Sequence, residues 1–192
     1  QANDDAPAAA TGLSASFEGG SLSGTVSFTT PTTTFDGGSL VGPLEYTVTD
    51  GTATLTKGTA APGEKVNAAV SLKESGQKVF TVTTSNSAGQ SPKAKTAPVY
   101  VGFDYPNSMP APKLVIDSQT GKATLTWQAP DGGLNGGFVG KLAYEVRRYP
   151  DEALVTTVSD GTTTYSETLP KQSLTKYSYG VTPVNGDVRG EE

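Results

Sequence analysis

The chain has 192 residues, of which 34% are hydrophobic and 17% charged, and it includes 23 Gly and 13 Pro. It contains neither Cys nor His, which excludes disulfide bonds, thiol or imidazole catalysis and ordinary zinc sites. Its net charge is −5 and neither half carries a basic patch, so we expect no nucleic-acid partner. No long apolar segment is present, so we expect no transmembrane helix, and no residue pattern indicates a cofactor.

The first half of the chain predicts one β-domain behind a short leader. Residues 1–11 (QANDDAPAAAT) are small and polar, which predicts a flexible leader. Residues 12–102 then alternate between apolar and polar side chains in short runs separated by turn residues, as half-buried strands do. The predicted strands are residues 13–17, 22–28, 44–48, 53–56, 66–72, 79–84 and 97–101.

A Pro-rich stretch, residues 103–112, follows this first domain. Its three prolines cannot donate hydrogen bonds to a β-ladder, so we predict a short semi-rigid linker. Phe103 and Tyr105 are expected to pack between the two domains, and the alternative is an exposed aromatic contact for a ligand. Asp104 and Asn107 could bind calcium, although two ligands fall short of the roughly six to eight that calcium takes.

The remaining residues, 113–192, repeat the pattern of the first domain. Residues 41–48 (VGPLEYTV) match residues 139–146 (VGKLAYEV), and each segment follows a Gly-Gly pair. Asn86 and Asn185 then follow matched strands near the end of each copy. Matching spacing across a whole domain predicts two copies of one β-sandwich.

These residues resemble fibronectin type III modules over nearly the whole chain. In that family a Trp closes the second strand, a Tyr lies in the third, and a Leu precedes a "tyrosine corner" at the sixth. The matching residues are Trp127, Tyr144, Leu169 and Tyr177 in the second copy, with Phe28 and Tyr46 in the first. Lys78 stands where the first copy should carry its corner Tyr, so we expect that hydrogen bond to be lost. The resemblance implies two immunoglobulin-like (fibronectin type III) β-sandwiches in tandem, as in bacterial surface and exported proteins.

The second copy (residues 113–192) is expected to lack its last strand, because Glu192 comes just after the loop that should lead into it. Residues 177–181 should then form a sheet edge with unpaired backbone groups. We expect either a continuation of the chain past Glu192, the version that we favour, or a strand from a neighbouring chain.

Few residues are candidates for a binding site. Arg189-Gly190-Glu191 lies where some family members carry an Arg-Gly-Asp attachment signal, but here Glu replaces Asp. The Gly-rich residues 131–137 lack the Lys-Ser/Thr ending of a phosphate loop and predict turns instead. The candidate binding residues are therefore Arg189, Gly190, Glu191, Phe103 and Tyr105, and no catalytic, cofactor or metal residue is predicted.

The resemblance implies a function without catalysis. We expect adhesion, binding or spacer modules of a bacterial surface protein, with an extracellular protein or glycan as the partner. The alternative is an accessory region of a larger secreted polysaccharide-degrading enzyme. The leader also resembles the tether that follows a lipid-modified Cys in outer-membrane lipoproteins. A membrane tether through an N-terminal lipid outside this sequence is therefore one hypothesis, and an ordinary disordered terminus is the other.

Overall fold

The computed structural model describes residues 5–170 and 174–192, which belong to two compact units with the boundary between Gly102 and Phe103. Every regular element in these residues is a β-strand, so this part of the chain has no helix that could cross a membrane. The strands of the first unit are β1 (Thr11–Phe17), β2 (Ser23–Thr29), β3 (Leu44–Thr49), β4 (Thr54–Ala60), β5 (Lys65–Ser71), β6 (Gly76–Lys78), β7 (Thr81–Asn86), β8 (Gly89–Gln90), β9 (Ala94–Lys95) and β10 (Val99–Val101). Those of the second unit are β11 (Lys113–Ile116), β12 (Lys122–Thr126), β13 (Ala143–Tyr149), β14 (Ala153–Val158), β15 (Thr164–Thr168), β16 (Ser178–Asn185) and β17 (Val188–Arg189).

The first unit is a sandwich of antiparallel sheets. One sheet has the order β1-β2-β5, and the other has the order β4-β3-β7 with both β8 and β9 beside β7. Strand β5 shows why these residues form a sheet with one buried face, because Val66, Ala68 and Val70 are buried and the residues between them are exposed. Phe28 from the first sheet and Val48 from the second are fully buried in one core. Burying a side chain of this size stabilises the fold by about 1.5–3 kcal/mol.

The second unit has the same two-sheet design. Its sheets have the orders β11-β12-β15 and β14-β13-β16-β17. Trp127 lies just after β12 and packs edge-on against Tyr144 of β13, with ring centroids 5.4 Å apart. Phe28 and Tyr46 form the matching contact in the first unit at 5.3 Å. The prediction of two all-β sandwiches, with the only Trp between the sheets, is confirmed.

The last strand of the first unit differs from the prediction. Residues 97–101 are predicted as the last strand, but only Val99–Val101 form one, β10, and it pairs with β6. The strand beside β7 is β9, in which Ala94 lies opposite Val82 and Lys95 opposite Thr81. Apolar alternation shows that a run is extended, but it does not show which strand it pairs with.

Residues 103–112, predicted as a linker, belong to the second unit. Isolated β-bridges join Phe103 to Phe138 and Pro106 to Gly133. Proline has no N–H and therefore interrupts a continuous ladder. The carbonyl oxygens of the segment can still accept hydrogen bonds, and single residues can still form isolated bridges. The linker prediction is therefore wrong.

The leader prediction is also wrong from Asp5 onward, whereas residues 1–4 lie outside the described residues. The Ala8 N–H donates to the Thr33 carbonyl oxygen at 3.0 Å, and Ala10 is buried in the core of the first unit. Pro7 forms an isolated bridge with Thr34. Small residues without an apolar period can still pack, because Ala and Pro lose little side-chain entropy on burial.

Candidate interaction surface

The candidate residues Arg189 and Gly190 lie at the end of the β16–β17 hairpin. The Arg189 guanidinium donates to both carboxylate oxygens of Glu145, at 3.0 and 2.9 Å. These hydrogen bonds from Arg189 lower the pKa of Glu145. The Gly190 N–H donates to the Pro183 carbonyl oxygen at 2.9 Å. Arg189 of β17 is thus paired with Glu145 of β13, which lies two strands away in the same sheet, with β16 between them.

Glu191, in contrast, is exposed and lines a groove of about 370 Å³ together with Glu192. The rest of the groove is formed by residues 108–112 on one side and residues 179–181 of β16 on the other. The Glu192 carboxylate also accepts a hydrogen bond from the Tyr149 hydroxyl at 2.7 Å, and this bond raises the pKa of Tyr149. The candidate residue Glu191 therefore lines a surface groove beside β16.

The two aromatic candidates are used differently. Phe103 packs against Phe138, with ring centroids 5.6 Å apart, and a Cβ added to Gly186 would touch its ring. Tyr105 is 49% exposed, and its backbone carbonyl oxygen accepts from the Leu134 N–H at 2.7 Å. Phe103 is therefore a packing residue of the second unit, and Tyr105 stays available for contact.

Between these aromatics lies Asp104, a structural residue that the sequence reasoning did not recognise. Its fully buried carboxylate accepts four hydrogen bonds, from the N–H groups of Tyr105 (2.7 Å), Asn135 (2.7 Å) and Gly137 (2.8 Å) and from the Asn135 side-chain amide (2.9 Å). Although burial raises the pKa of Asp104, these bonds outweigh it and the pKa is lowered. A Cβ at Gly133 would clash with the carboxylate, which explains the glycine there. The Gly-rich residues 131–137 therefore form a loop held by Asp104.

This arrangement bears directly on the calcium hypothesis. Both carboxylate oxygens of Asp104 are occupied by N–H donors, and the Asn107 amide instead donates to Asp131 at 3.1 Å. Within residues 5–170 and 174–192, no three acidic side chains approach closely enough to hold a metal ion. Asp104 and Asn107 do not form a shared site.

In both units an Asn side-chain amide donates to the backbone carbonyl oxygen of an Asp, a contact that we call the clamp. The Asn185 amide donates to the Asp104 carbonyl oxygen at 2.8 Å, and the Asn86 amide donates to the Asp5 carbonyl oxygen at 2.9 Å. The two residues of each pair are 81 positions apart. An available sequence signal was the repeated Asp-x-Pro, which occurs as DAP at Asp5 and as DYP at Asp104.

A polar cluster joins the two sheets of the second unit at one end. Glu167 of β15 accepts hydrogen bonds from Arg148 of β13 at 3.0 Å and from the hydroxyl of Tyr179 of β16. Arg148 also pairs with Asp151 at 2.6 Å. The Arg148 guanidinium carbon lies 5.9 Å from the centroid of the Tyr177 ring. The corner hydrogen bond expected of Tyr177 runs to the backbone upstream of it, where residues 171–173 lie outside the described residues.

Comparison with known proteins adds a fold-level likeness. No family model matches the chain, and no curated protein matches it. Among solved structures, the crystal structure of chicken CNTN1 FN1–FN3 domains is similar at 16% identity with a TM-score of 0.36. The match covers 97% of this chain, and the chain spans 65% of the length of that structure. Both units have a fibronectin type III-like fold, as their own strand orders show, with one three-stranded sheet packed on a larger one.

Proposed function

We propose that the chain is a pair of non-catalytic adhesion, binding or spacer modules of a bacterial surface protein. The observation that carries this proposal is that each unit closes a core of its own. The charged groups described above serve the fold: Asp104 holds a loop, and Glu167 and Arg148 join two sheets. Compact units of this kind suit spacing or presenting a surface, because each core is formed by the side chains of its own unit.

We also propose an extracellular or cell-surface location. A membrane tether through an N-terminal lipid outside this sequence stays one hypothesis beside an ordinary terminus, and the proposed partner is an extracellular protein or glycan. The second candidate, an accessory region of a larger polysaccharide-degrading enzyme, shares the fold and differs in its ligand.

Array binding with the purified chain tests the proposal. Retention on an extracellular protein, or on a cell-surface glycan, supports the binding role, whereas retention on plant or storage polysaccharides alone favours the accessory-region alternative. Hydrolysis of any arrayed substrate overturns the non-catalytic assignment.

Pulling on the two ends of the chain tests the spacer role. Two separate unfolding steps are expected, each releasing about 300 Å, because a fully extended residue spans at most about 3.3–3.6 Å. A single step at low force would contradict two independently closed modules.

A further inference from the structure

A polar groove of about 570 Å³ lies on the outer face of the first unit's sheet that contains β3 and β7. Its floor is formed by threonines, Thr47 and Thr49 of β3 and Thr81 and Thr83 of β7. The register places Thr47 beside Thr83 and Thr49 beside Thr81, so the four side chains share one patch. Val48 between the first two is buried in the core, so the threonines face away from it. We call this feature the threonine groove, and its volume is within the range of roughly 300–1,000 Å³ that is typical of ligand sites.

Lysines flank the threonine groove on both sides. Lys57 of β4 lies opposite Thr47 on one side. Lys93 and Lys95 lie on the other side, where Lys95 of β9 is opposite Thr81. All three lysines are exposed, and none of them forms an ion pair within the described part of the chain. Because neighbouring strands are about 4.8 Å apart, the backbones of β4 and β9 are separated by about 14 Å across the groove.

The groove is positive although the unit that carries it is acidic. Residues 1–102 contain six lysines, no arginine and eight acidic residues. Three of the lysines line the groove, whereas none of the described acidic residues does. Glu45 is on the same face of β3 but lies beyond the groove, two residues before Thr47. Asp50, at the other end of β3, caps its own turn, because its carboxylate accepts from the Ala53 N–H at 2.8 Å.

The matching face of the second unit is organised differently. In the repeat, Glu145 of β13 corresponds to Thr47 of β3. The residue opposite Glu145 on β14 is Thr157, whereas the residue opposite Thr47 on β4 is Lys57. The Glu145 carboxylate is paired with Arg189 at 2.9 Å. The second unit therefore balances charge on this face within its own chain, and the first unit leaves its lysines for a ligand.

The chemistry of the floor favours a sugar over a peptide. Strand β3 pairs with β4 on one side and β7 on the other, and β7 pairs with β3 and β9, so the floor offers no strand edge to a peptide backbone. Recognition must come from side chains, and threonine hydroxyls can donate and accept hydrogen bonds as sugar hydroxyls do. No aromatic side chain of the described residues lines the groove, so a neutral sugar finds no ring to stack on. The lysines add attraction only for a ligand with negative groups.

We propose that the threonine groove binds an acidic polysaccharide. Its carboxylate or sulfate groups would lie at Lys57, Lys93 and Lys95, and its hydroxyls would bind the threonine floor. This inference deepens the proposed binding function by naming the class of glycan, and it rests on that function.

Titration of the isotope-labelled chain with hexasaccharides tests the proposal by nuclear magnetic resonance. A hexasaccharide of galacturonic acid supplies carboxylates, a heparin hexasaccharide supplies sulfates, and maltohexaose is the neutral control. We expect saturable shifts of the amides that line the threonine groove with at least one acidic hexasaccharide, and none with maltohexaose. The amide of Glu145, on the matching face of the second unit, should not shift. Affinity should fall as salt is added, because exposed charges are screened.

Matched variants separate charge at the groove from charge in general. The double variant K57Q/K95Q should weaken binding by roughly 2- to 5-fold for each lysine that is neutralised. The control K65Q/K73Q removes two exposed lysines of the same unit that lie outside the groove, and it should leave binding unchanged.

A second variant tests the floor itself. T47V/T83V removes two hydroxyls but keeps the β-branched shape that suits a strand. It should weaken binding by about 2-fold or more through lost hydrogen bonds, which attraction by charge alone does not predict.

Five outcomes would overturn the inference. These are no saturable shift with either acidic hexasaccharide, equal affinity for maltohexaose, an equal loss of affinity in K65Q/K73Q, unchanged affinity in T47V/T83V, or equally tight binding of hexaglutamate, which would assign the groove to acidic peptides. Retention of an extracellular protein on the array, with no hexasaccharide bound, would reject this inference alone and leave the proposed function standing. Release of new reducing ends from a hexasaccharide would instead overturn the non-catalytic assignment.

Discussion

The Asp36 N–H donates to the carboxylate of Asp5 at 2.8 Å, in the same way that the Asn135 N–H donates to Asp104 at 2.7 Å in the second unit. The side chains differ, however. The Asn135 amide adds a second hydrogen bond to Asp104, whereas Asp36 presents a carboxylate to Asp5. Repulsion by the Asp5 charge raises the pKa of Asp36. The first unit therefore carries a like-charge pair where the second carries a hydrogen bond.

Asp36→Asn should raise the melting temperature of the first unit at pH 7, because it removes the repulsion and allows an amide donor to reach Asp5. The reciprocal change, Asn135→Asp, should lower the melting temperature of the second unit. Differential scanning calorimetry of both variants checks the pair. An unchanged or lower melting temperature for Asp36→Asn would show that the side chain of Asp36 does not interact with Asp5.

Acid should change the contributions of Asp36 and Asp104 to stability in opposite directions. The folded pKa of Asp36 is raised, so its contribution to stability increases as the pH falls through that pKa. The hydrogen bonds of Asp104 outweigh its burial and lower its pKa. Its contribution is therefore present above the ordinary carboxyl pKa of about 3.9 and is lost as the pH falls further.

Trp127, the only Trp of the chain, reports on the second unit alone. Denaturant unfolding followed by Trp fluorescence should show a lower midpoint at pH 3 than at pH 6, and an unchanged midpoint would contradict the role of Asp104.

Trp127→Ala should destabilise the second unit by about 3–5 kcal/mol, because it removes a buried ring and leaves a cavity beside Tyr144. A loss of this size is comparable with the whole stability of a small domain. Phe28→Ala is the matched change in the first unit and should leave the second intact. Amide resonances of each unit, followed during heating, check both. Loss of both units together in either variant would show that their unfolding is coupled.

The sequence predicted what depends on side-chain pattern and missed what depends on pairing. Alternation and the repeated Tyr and Trp positions gave two sandwiches with Trp127 at the centre of one. The same pattern placed the last strand of the first unit at residues 97–101, although β9 is the strand beside β7. Ala94 is small and lies two residues after Pro92, so its short strand shows no alternation of hydrophobic and polar side chains.

The clamps were missed for a related reason. Asp104 lies among prolines, and a lone acidic residue in such a stretch is normally solvated. Its role depends on Asn185, which is 81 residues away and meets it only in the folded chain. A single hydrogen bond between distant residues leaves no periodic pattern in the sequence.

Glu167 should be the most costly carboxylate to neutralise among those on the strands of the second unit, because its partners belong to the opposite sheet. Arg148 and the Tyr179 hydroxyl both donate to it, and Tyr165 of its own strand adds a third hydrogen bond at 3.1 Å. Burial, followed by the bond to Glu167, raises the pKa of Tyr179. Glu167→Gln should therefore reduce the free energy of unfolding of the second unit by about 1–3 kcal/mol at pH 7 and shift the pKa of Tyr179 back toward its ordinary value of about 10.

Alkaline titration gives a second measurement of the same contact. A tyrosine whose folded pKa is raised contributes stability that is present below the unfolded pKa of about 10 and is lost as the pH rises through the folded pKa. Ultraviolet absorbance of tyrosinate should therefore show ionisation at lower pH in Glu167→Gln than in the unaltered chain. The matched control is Glu145→Gln, which also breaks a bidentate pair with an arginine, but at an exposed position within one sheet. Such surface pairs contribute only about 0–1 kcal/mol. If Glu145→Gln costs as much as Glu167→Gln, or if tyrosine ionisation does not change in the latter, Glu167 does not hold the two sheets together.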